Sequence, residues 1–401
     1  MSAYNTGMPK NADRILTTHC GSLPRPKELL DLMKAKLQGE PHDANAYAAE
    51  VRNAVAHCVR QQIECGIDIP TDGEQGKAGF YAYVTDRLGG YEARPGRRQG
   101  VFAAEVEAFP EYYEEYFRHA MLGATLVPLS SFVCTGPVTY RGQEAARRDI
   151  DNLKAALNGL KAADVFMPAV APSGVGRNEY YRTEEEYLYA VAEAMRNEYM
   201  AIVEAGFQLQ IDDPFLTELY SYSKVPSAEL RKTGEMYVEA VNHALRGIPT
   251  ERVRYHTCYG INEGPRIHDA PLKDLIDLML KVNAGAYSFE AANPRHEHEY
   301  HVWETVKLPE GKKIIPGVVT HSSNIVEHPE LIAERIIRYA RLVGRENVIA
   351  GTDCGFSSQA TYSPEVHPTV IWAKLDAMAE GARLATQWLW RNLSQFEQPN
   401  N

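Results

Sequence analysis

Cysteine is scarce and scattered in this 401-residue chain. Its six copies, Cys20, Cys58, Cys65, Cys134, Cys258 and Cys354, are too far apart to form the disulfide framework of a small secreted domain. They read as free thiols or metal ligands in a reducing compartment. No run of roughly 18 apolar residues could span a bilayer, and the N-terminal stretch has none of the apolar character of a signal peptide. The expected setting is the cytoplasm, with no membrane partner. Positive charge is not in excess either: 42 Lys and Arg stand against 53 Asp and Glu, for a formal charge of −11, which argues against a nucleic-acid surface. Dinucleotide and phosphate-loop fingerprints are missing as well. Gly73-Glu74-Gln75-Gly76-Lys77 is too short for a P-loop, and no G-x-G-x-x-G occurs, so no nucleotide cofactor is implied.

What remains is an ordinary globular composition, 44% hydrophobic and 24% charged, with a recurring pattern of short apolar runs. Strand-like runs fall at Ile15–His19, Ile67–Thr71, Phe132–Thr135, Val165–Val170, Phe207–Asp212, Val253–Cys258, Ala286–Glu290, Ile314–Val319 and Val348–Thr352. Helix-like stretches lie between them, as at Thr183–Ala205 behind Arg-Thr-Glu-Glu-Glu and at Pro329–Leu342. Alternating strands and helices imply parallel βαβ units, and their number points to one (β/α)8 TIM barrel over residues 1–401. Nine runs are one too many for eight barrel positions, so one is misread or lies outside the cylinder.

The pattern breaks between Leu88 and Val127, where Arg94, Arg97, Arg98, Phe109, Tyr112, Tyr113, Tyr116 and Phe117 gather. This reads as an insertion that either leans over the barrel mouth or packs beside it on the wall. The tail from Leu393 reads as frayed.

In a parallel barrel the C-terminal ends of all strands meet at one face, so polar residues there converge from distant parts of the chain. Four soft or borderline donors obey this rule: His256, Cys258, Glu290 and Cys354. Two thiolates, an imidazole and a carboxylate suit tetrahedral zinc better than magnesium or calcium, and zinc with sulfur ligands points to chemistry on a thiol. Each residue alone could be core filling; the joint placement is what favours a site. Further polar groups close the same runs: Asp72, Gly73, Glu74, Asp212, Asp213, His321 and Ser323. Buried carboxylates there suit a nearby metal or a substrate amine, whereas Asp213 and Ser323 serve equally well as helix caps. The His-rich stretch Arg295–His301 reads as a solvated loop or helix face rather than a second metal site.

Read together, these segments resemble the catalytic C-terminal barrel of the cobalamin-independent methionine synthase family and its shorter single-barrel relatives. The likeness spans most of the chain. It rests on Thr17-Thr18-His19-Cys20-Gly21-Ser22-Leu23-Pro24, Asp72-Gly73-Glu74, Gln210-Ile211-Asp212-Asp213-Pro214, His256-Thr257-Cys258-Tyr259, Ser288-Phe289-Glu290, His321-Ser322 and Thr352-Asp353-Cys354-Gly355.

The resemblance implies zinc held by His256, Cys258, Glu290 and Cys354. It also implies that Ser22, Glu74 and Asp212 orient the thiol substrate and that His321 acts as a proton donor. The implied reaction is zinc-dependent methyl transfer to homocysteine, giving methionine, with a small-molecule thiol and an alkyl donor as partners. The alternative is thiol addition to an epoxide, as in epoxyalkane:coenzyme M transferases, for which Arg25, Lys77 and Arg177 are basic candidates by location. A decarboxylase of the related uroporphyrinogen barrel needs no metal and fits less well. A zinc-stabilised barrel without catalysis is the remaining reading.

The family's pterin strand reads Gly-Pro-Val-Thr followed by a tryptophan. Here Gly136-Pro137-Val138-Thr139 keeps the words without the tryptophan, and Ala171–Gly176 is a second candidate for that loop, so the donor stays open among folate, corrinoid and other small molecules.

Overall fold

The computed structural model describes residues 13–95, 102–119, 124–127, 130–219, 227–260 and 264–391. Six strands form a continuous parallel sheet in chain order: Phe166–Val170, Gln208–Asp212, Val253–His256, Ala286–Phe289, Lys313–Val319 and Gly351–Thr352. Their inward and outward faces are almost continuously buried, as strands enclosed between a barrel interior and a helical jacket must be.

Two short extended segments complete the ring. Thr17 pairs in parallel with Ala350 and Thr18 with Ile69. The Phe166 amide then donates to Pro70 O at 3.1 Å, which joins the last gap. The sheet is therefore curled through eight positions into a (β/α)8 barrel, with helices such as Glu184–Glu204 and Pro329–Val343 between strands. The first begins where its sequence says: Thr183 Oγ1 accepts the Glu186 amide at 3.1 Å, and three glutamates fill the first turn.

The surplus run is Phe132–Thr135. It belongs to Ser130–Tyr140, which pairs antiparallel with Leu88–Pro95 and takes Arg177–Asn178 along its other edge, forming a separate three-stranded sheet outside the barrel. Its apolar residues join the main core from outside the barrel: the Tyr91 ring stacks on Phe132 at 4.2 Å, Val133 and Cys134 are fully buried, and Cys134 belongs to the large hydrophobic cluster.

Between these two strands lie helices Ala103–Ala108 and Pro110–His119, so the insertion runs on to Tyr140. Their contacts are with loops that follow barrel strands. Glu105 receives the amides of Arg266 and His268 at 3.0 and 2.7 Å, and Tyr116 hydrogen-bonds Glu365. Arg97, Arg98 and the tail from Leu393 lie outside the described residues.

Inside the barrel the layers are mixed. Leu16, Ile69, Phe166, Ala286, Ile315 and Ile349 make a compact apolar plug. Above it sits the fully buried Arg254, whose guanidinium lies 4.0 Å from the Phe166 ring centroid and donates to Thr18 Oγ1 and His19 O, both at 2.9 Å. A buried cation bound this way acts as a girder for the strand ends. No helix among the described residues is long and apolar enough to cross a membrane.

Candidate metal and substrate site

The strands Val253–His256, Ala286–Phe289 and Gly351–Thr352 deliver their polar residues to one place. His256, Cys258 and Cys354 have donor atoms all within 4.8 Å of one another, and all three are buried. The two sulfurs are 3.2 Å apart. His256 turns Nδ1 toward Ser288 Oγ at 3.1 Å and Cys20 Sγ at 3.6 Å, while Nε2 is buried with no hydrogen-bond partner. An imidazole braced through one nitrogen and bare at the other is prepared for a metal.

The protons tell the same story. The hydrogen bond from Cys354 and the nearby imidazole pull Cys258 well below the ordinary thiol range, whereas the same contact, aided by burial, pushes Cys354 up. Cys354 Sγ donates to Cys258 Sγ, and a soft divalent cation would replace that contact with a bond to both sulfurs.

Glu290 stands beside this group rather than within it. Its Oε1 accepts the Tyr259 amide at 2.8 Å, and its Oε2 accepts Arg266 Nη2 and Asn293 Nδ2, each at 2.8 Å. With His321 and Asp353 it forms a second cluster within 4.8 Å. That second cluster suits a cation less well, because three donors hold Asp353 as three hold Glu290: Oδ1 takes the Ala291 and Ala292 amides at 2.7 Å and Oδ2 takes Asn293 at 3.0 Å. His321 Nε2 donates to Gly260 O at 3.3 Å, which leaves Nδ1 buried and unpartnered. Burial drives His321 down to about 4, with Asp353 opposing, so it is neutral at pH 7.

Asp212 is the register partner of His256 on the neighbouring strand, and Glu74 is near enough to Asp212 for their charges to interact. Glu74 is a non-glycine residue at φ +56, following Gly73 at φ +66. This strained turn is tied down by Leu23 N to Gly73 O at 3.1 Å, Glu74 N to Asp72 Oδ1 at 2.9 Å and Arg25 Nη2 to Glu74 O at 3.0 Å. A Cβ on Gly73 would sit 2.4 Å from Cys58 Sγ, so close packing also demands glycine there.

The tie-down leaves Glu74 Oε2 buried without a partner, and Oε1 faces Lys77 Nζ at 3.4 Å. Asp212 accepts Gln210 Nε2 at 2.7 Å; burial pushes it up to about 7, with the neighbouring Glu74 adding to the rise and His256 opposing it. Lys77 pairs with Glu74 and also acts on Asp212 by its charge, so two buried carboxylates face one lysine. Ser22 lies alongside, its Oγ accepting the Ser357 amide at 3.3 Å.

Other residues named from the sequence have structural work. Asp213 accepts Ser173 Oγ, Tyr255 OH and the amides of Phe215 and Leu216, which is a helix-start role. Ser323 accepts the Ile325 amide in a turn. Among the basic candidates, Arg25 is consumed by the carbonyls of Glu74, Lys77 and Ser357, and Arg177 is exposed and paired with Glu179. Lys77 is buried on Pro168 O at 2.6 Å. None of Arg295–His301 joins a metal-sized donor group among the described residues; His296 is instead clamped between Asp269 and Glu299. Ala171–Gly176 follows barrel strand Phe166–Val170, while Gly136–Thr139 belongs to the outer sheet.

Sequence reasoning missed Cys20, Ser288, Asp353 and Arg266 as parts of the site. The first three stand at strand ends next to residues already singled out, and the rule of converging strand ends would have found them. Arg266 sits in a loop with no periodicity to mark it.

Fold and donor set together define a (β/α)8 barrel with a thiol–imidazole cluster and a carboxylate pair at the C-terminal ends of its strands. The chain belongs to the cobalamin-independent synthase catalytic-domain family, whose model matches residues 169–375. It is 25% identical over 380 residues to a methionine synthase of Saccharolobus solfataricus, covering 94% of this chain and 96% of that one. A Sulfolobus acidocaldarius methionine synthase is 24% identical over 345 residues, covering 84% and 85%. Among solved structures, a B12-independent methionine synthase from Shewanella sp. W3-18-1 in complex with selenomethionine superposes with TM-score 0.69 at 18% identity, over 94% of this chain and 99% of that chain. A putative vitamin-B12 independent methionine synthase from Listeria monocytogenes gives TM-score 0.66 at 20% identity, over 94% and 98%. These two superpositions establish the shared barrel.

Proposed function

We propose that the protein transfers a methyl group from a small donor to the thiol of homocysteine, forming methionine. His256, Cys258 and Cys354 would hold a zinc ion, with Glu290 as the adjoining fourth donor. The observation that carries this reading is the bare, buried Nε2 of His256 beside two sulfurs 3.2 Å apart. The methionine synthases among its relatives support it. A zinc ion in this position lowers the pKa of a thiol so that the sulfur is a thiolate at neutral pH.

The protein's own groups do the rest. Glu74 and Asp212 bind the substrate ammonium, and with Lys77 the four charges sum to zero, which is what a buried cluster requires. Ser22 packs beside them and limits where the amino-acid end can lie. His321, neutral with its ring proton on Nε2, can take up at Nδ1 the proton that the substrate thiol gives up and pass it to the group that departs from the methyl carbon.

The test is isothermal titration of zinc-loaded protein with homocysteine and with coenzyme M, following proton release. Homocysteine binding with release of about one proton supports the proposal. Coenzyme M binding alone would overturn it in favour of epoxide opening, and binding of neither thiol would overturn both substrate assignments.

A further inference from the structure

Arg266 is an unusual residue on three counts. It adopts φ +55, a left-handed backbone that a β-carbon disfavours, yet it is only 4% exposed. Its guanidinium reaches Glu290 Oε2 at 2.8 Å through Nη2 and Asp269 Oδ2 at 2.9 Å through Nε, while Nη1 is buried without a partner among the described residues. Its backbone is fixed from outside the barrel. Glu105, on inserted helix Ala103–Ala108, accepts the Arg266 amide at 3.0 Å with one oxygen and the His268 amide at 2.7 Å with the other. Glu105 is itself buried, so the two bonds replace its hydration and hold the strained turn in shape.

A carboxylate oxygen has two lone pairs. On Glu290, Oε2 spends both on Arg266 and Asn293, and Oε1 spends one on the Tyr259 amide, so a single lone pair remains for a metal. The ion pair also draws electron density from the carboxylate and gives it a stable resting partner away from the two sulfurs and His256.

We propose that Arg266, fixed by Glu105 of the insertion, is a positioning residue that keeps Glu290 a weak and displaceable donor, so that the metal site retains a place for the substrate thiol. The inference rests on the metal-site reading above. It makes the inserted helix part of the site: a segment outside the barrel sets how tightly the fourth donor is held. When Glu290 is off the metal, Arg266 keeps it from becoming an unpaired buried charge.

The experiment measures zinc affinity by chelator competition, without turnover, for the full-length chain, Arg266→Met, Glu290→Gln, the double variant and Glu105→Gln. Arg266→Met should tighten zinc by about tenfold, the scale on which outer partners tune metal sites. That gain should vanish in the Glu290→Gln background because it acts through Glu290, whereas the mere loss of a nearby positive charge would act equally in both. Glu105→Gln leaves the guanidinium and its side-chain partners Glu290 and Asp269 charged, gives up the charge of Glu105 itself and breaks one of the two amide bonds, and it should shift zinc affinity in the same direction by a smaller factor. It also serves if Arg266→Met folds poorly. Unchanged or weaker zinc binding in both variants, or an equal Arg266→Met gain with and without Glu290, would overturn the proposal. If the parent chain itself held no zinc at His256, Cys258 and Cys354, the metal-site reading would be the one to fall.

Discussion

The sulfurs of Cys258 and Cys354 lie 3.2 Å apart although 96 residues separate them in the chain. Neither is near the other through any local turn; each simply follows a parallel strand, and the barrel's register does the rest. This separation gives the first prediction. Cys354→Ser should lower zinc affinity by at least about 100-fold and abolish methyl transfer. The far-UV spectrum and the unfolding temperature of the metal-free protein should stay close to those of the parent. Collapse of the fold would instead identify a structural metal.

Removing one carboxylate of the amine pair should be costly and selective. Glu74→Gln or Asp212→Asn is expected to reduce kcat/KM for homocysteine by on the order of 10²–10³, the usual loss when a buried charge loses its partner. A thiol of equal length without the amino group should be turned over no worse by the variants than by the parent. Equal losses for both thiols would remove the ammonium role from these residues.

The position of Asp212 fixes a pH dependence. Burial raises its pKa from 3.8 to about 7, so below that pH it is protonated and offers no charge to an ammonium. Methionine has no thiol to titrate and isolates the effect. Its affinity should rise by up to about tenfold per pH unit on approach to pH 7 and level off above. Calorimetry between pH 5.5 and 8.5 would show this, and Asp212→Asn should flatten the curve.

Among the described residues His321 carries a buried Nδ1 without a hydrogen-bond partner and makes one long hydrogen bond through Nε2. Replacing it by Asn should therefore leave zinc affinity and KM nearly unchanged while kcat falls by about 10²–10⁴, the range for a lost acid–base group. A variant that loses zinc instead would place His321 among the ligands.

Gly355 is held to glycine by contact rather than by backbone angle. A β-carbon there would lie 2.1 Å from Ser22 Oγ and 3.2 Å from its Cβ. Gly355→Ala should cost about 1–3 kcal/mol in chemical denaturation and weaken substrate binding by displacing Ser22. Reducing Ser22 to alanine in the same chain should recover part of the stability.

Much of this architecture was legible before any coordinate. The eight barrel strands announce themselves as short apolar runs because a parallel sheet buries both faces, and the candidate donors follow those runs because only strand ends open to one face. The ninth run misled for a physical reason: Phe132–Thr135 is as apolar as a barrel strand, since Phe132 stacks on Tyr91 and Cys134 joins the main core from the outer sheet. Composition does not distinguish which sheet an apolar run joins.

The partners of the candidate donors were not legible. Glu290 reads as a fourth ligand of the cluster from its position at a strand end, yet three donors from Tyr259, Arg266 and Asn293 hold it. Arg25 and Arg177 read as candidates by location, but one is consumed by backbone carbonyls and the other faces solvent beside Glu179.

The sequence by itself determined the periodic strands, the residue types at their ends and hence the chemistry available, because burial and donor softness are properties of the side chains. Only the tertiary structure decided which donors meet, that Glu74 Oε2 is left without a hydrogen bond among the described residues, and that Glu105 reaches from the insertion to Arg266. Those are matters of a few ångströms between segments far apart in the chain, fixed by strand register and loop path.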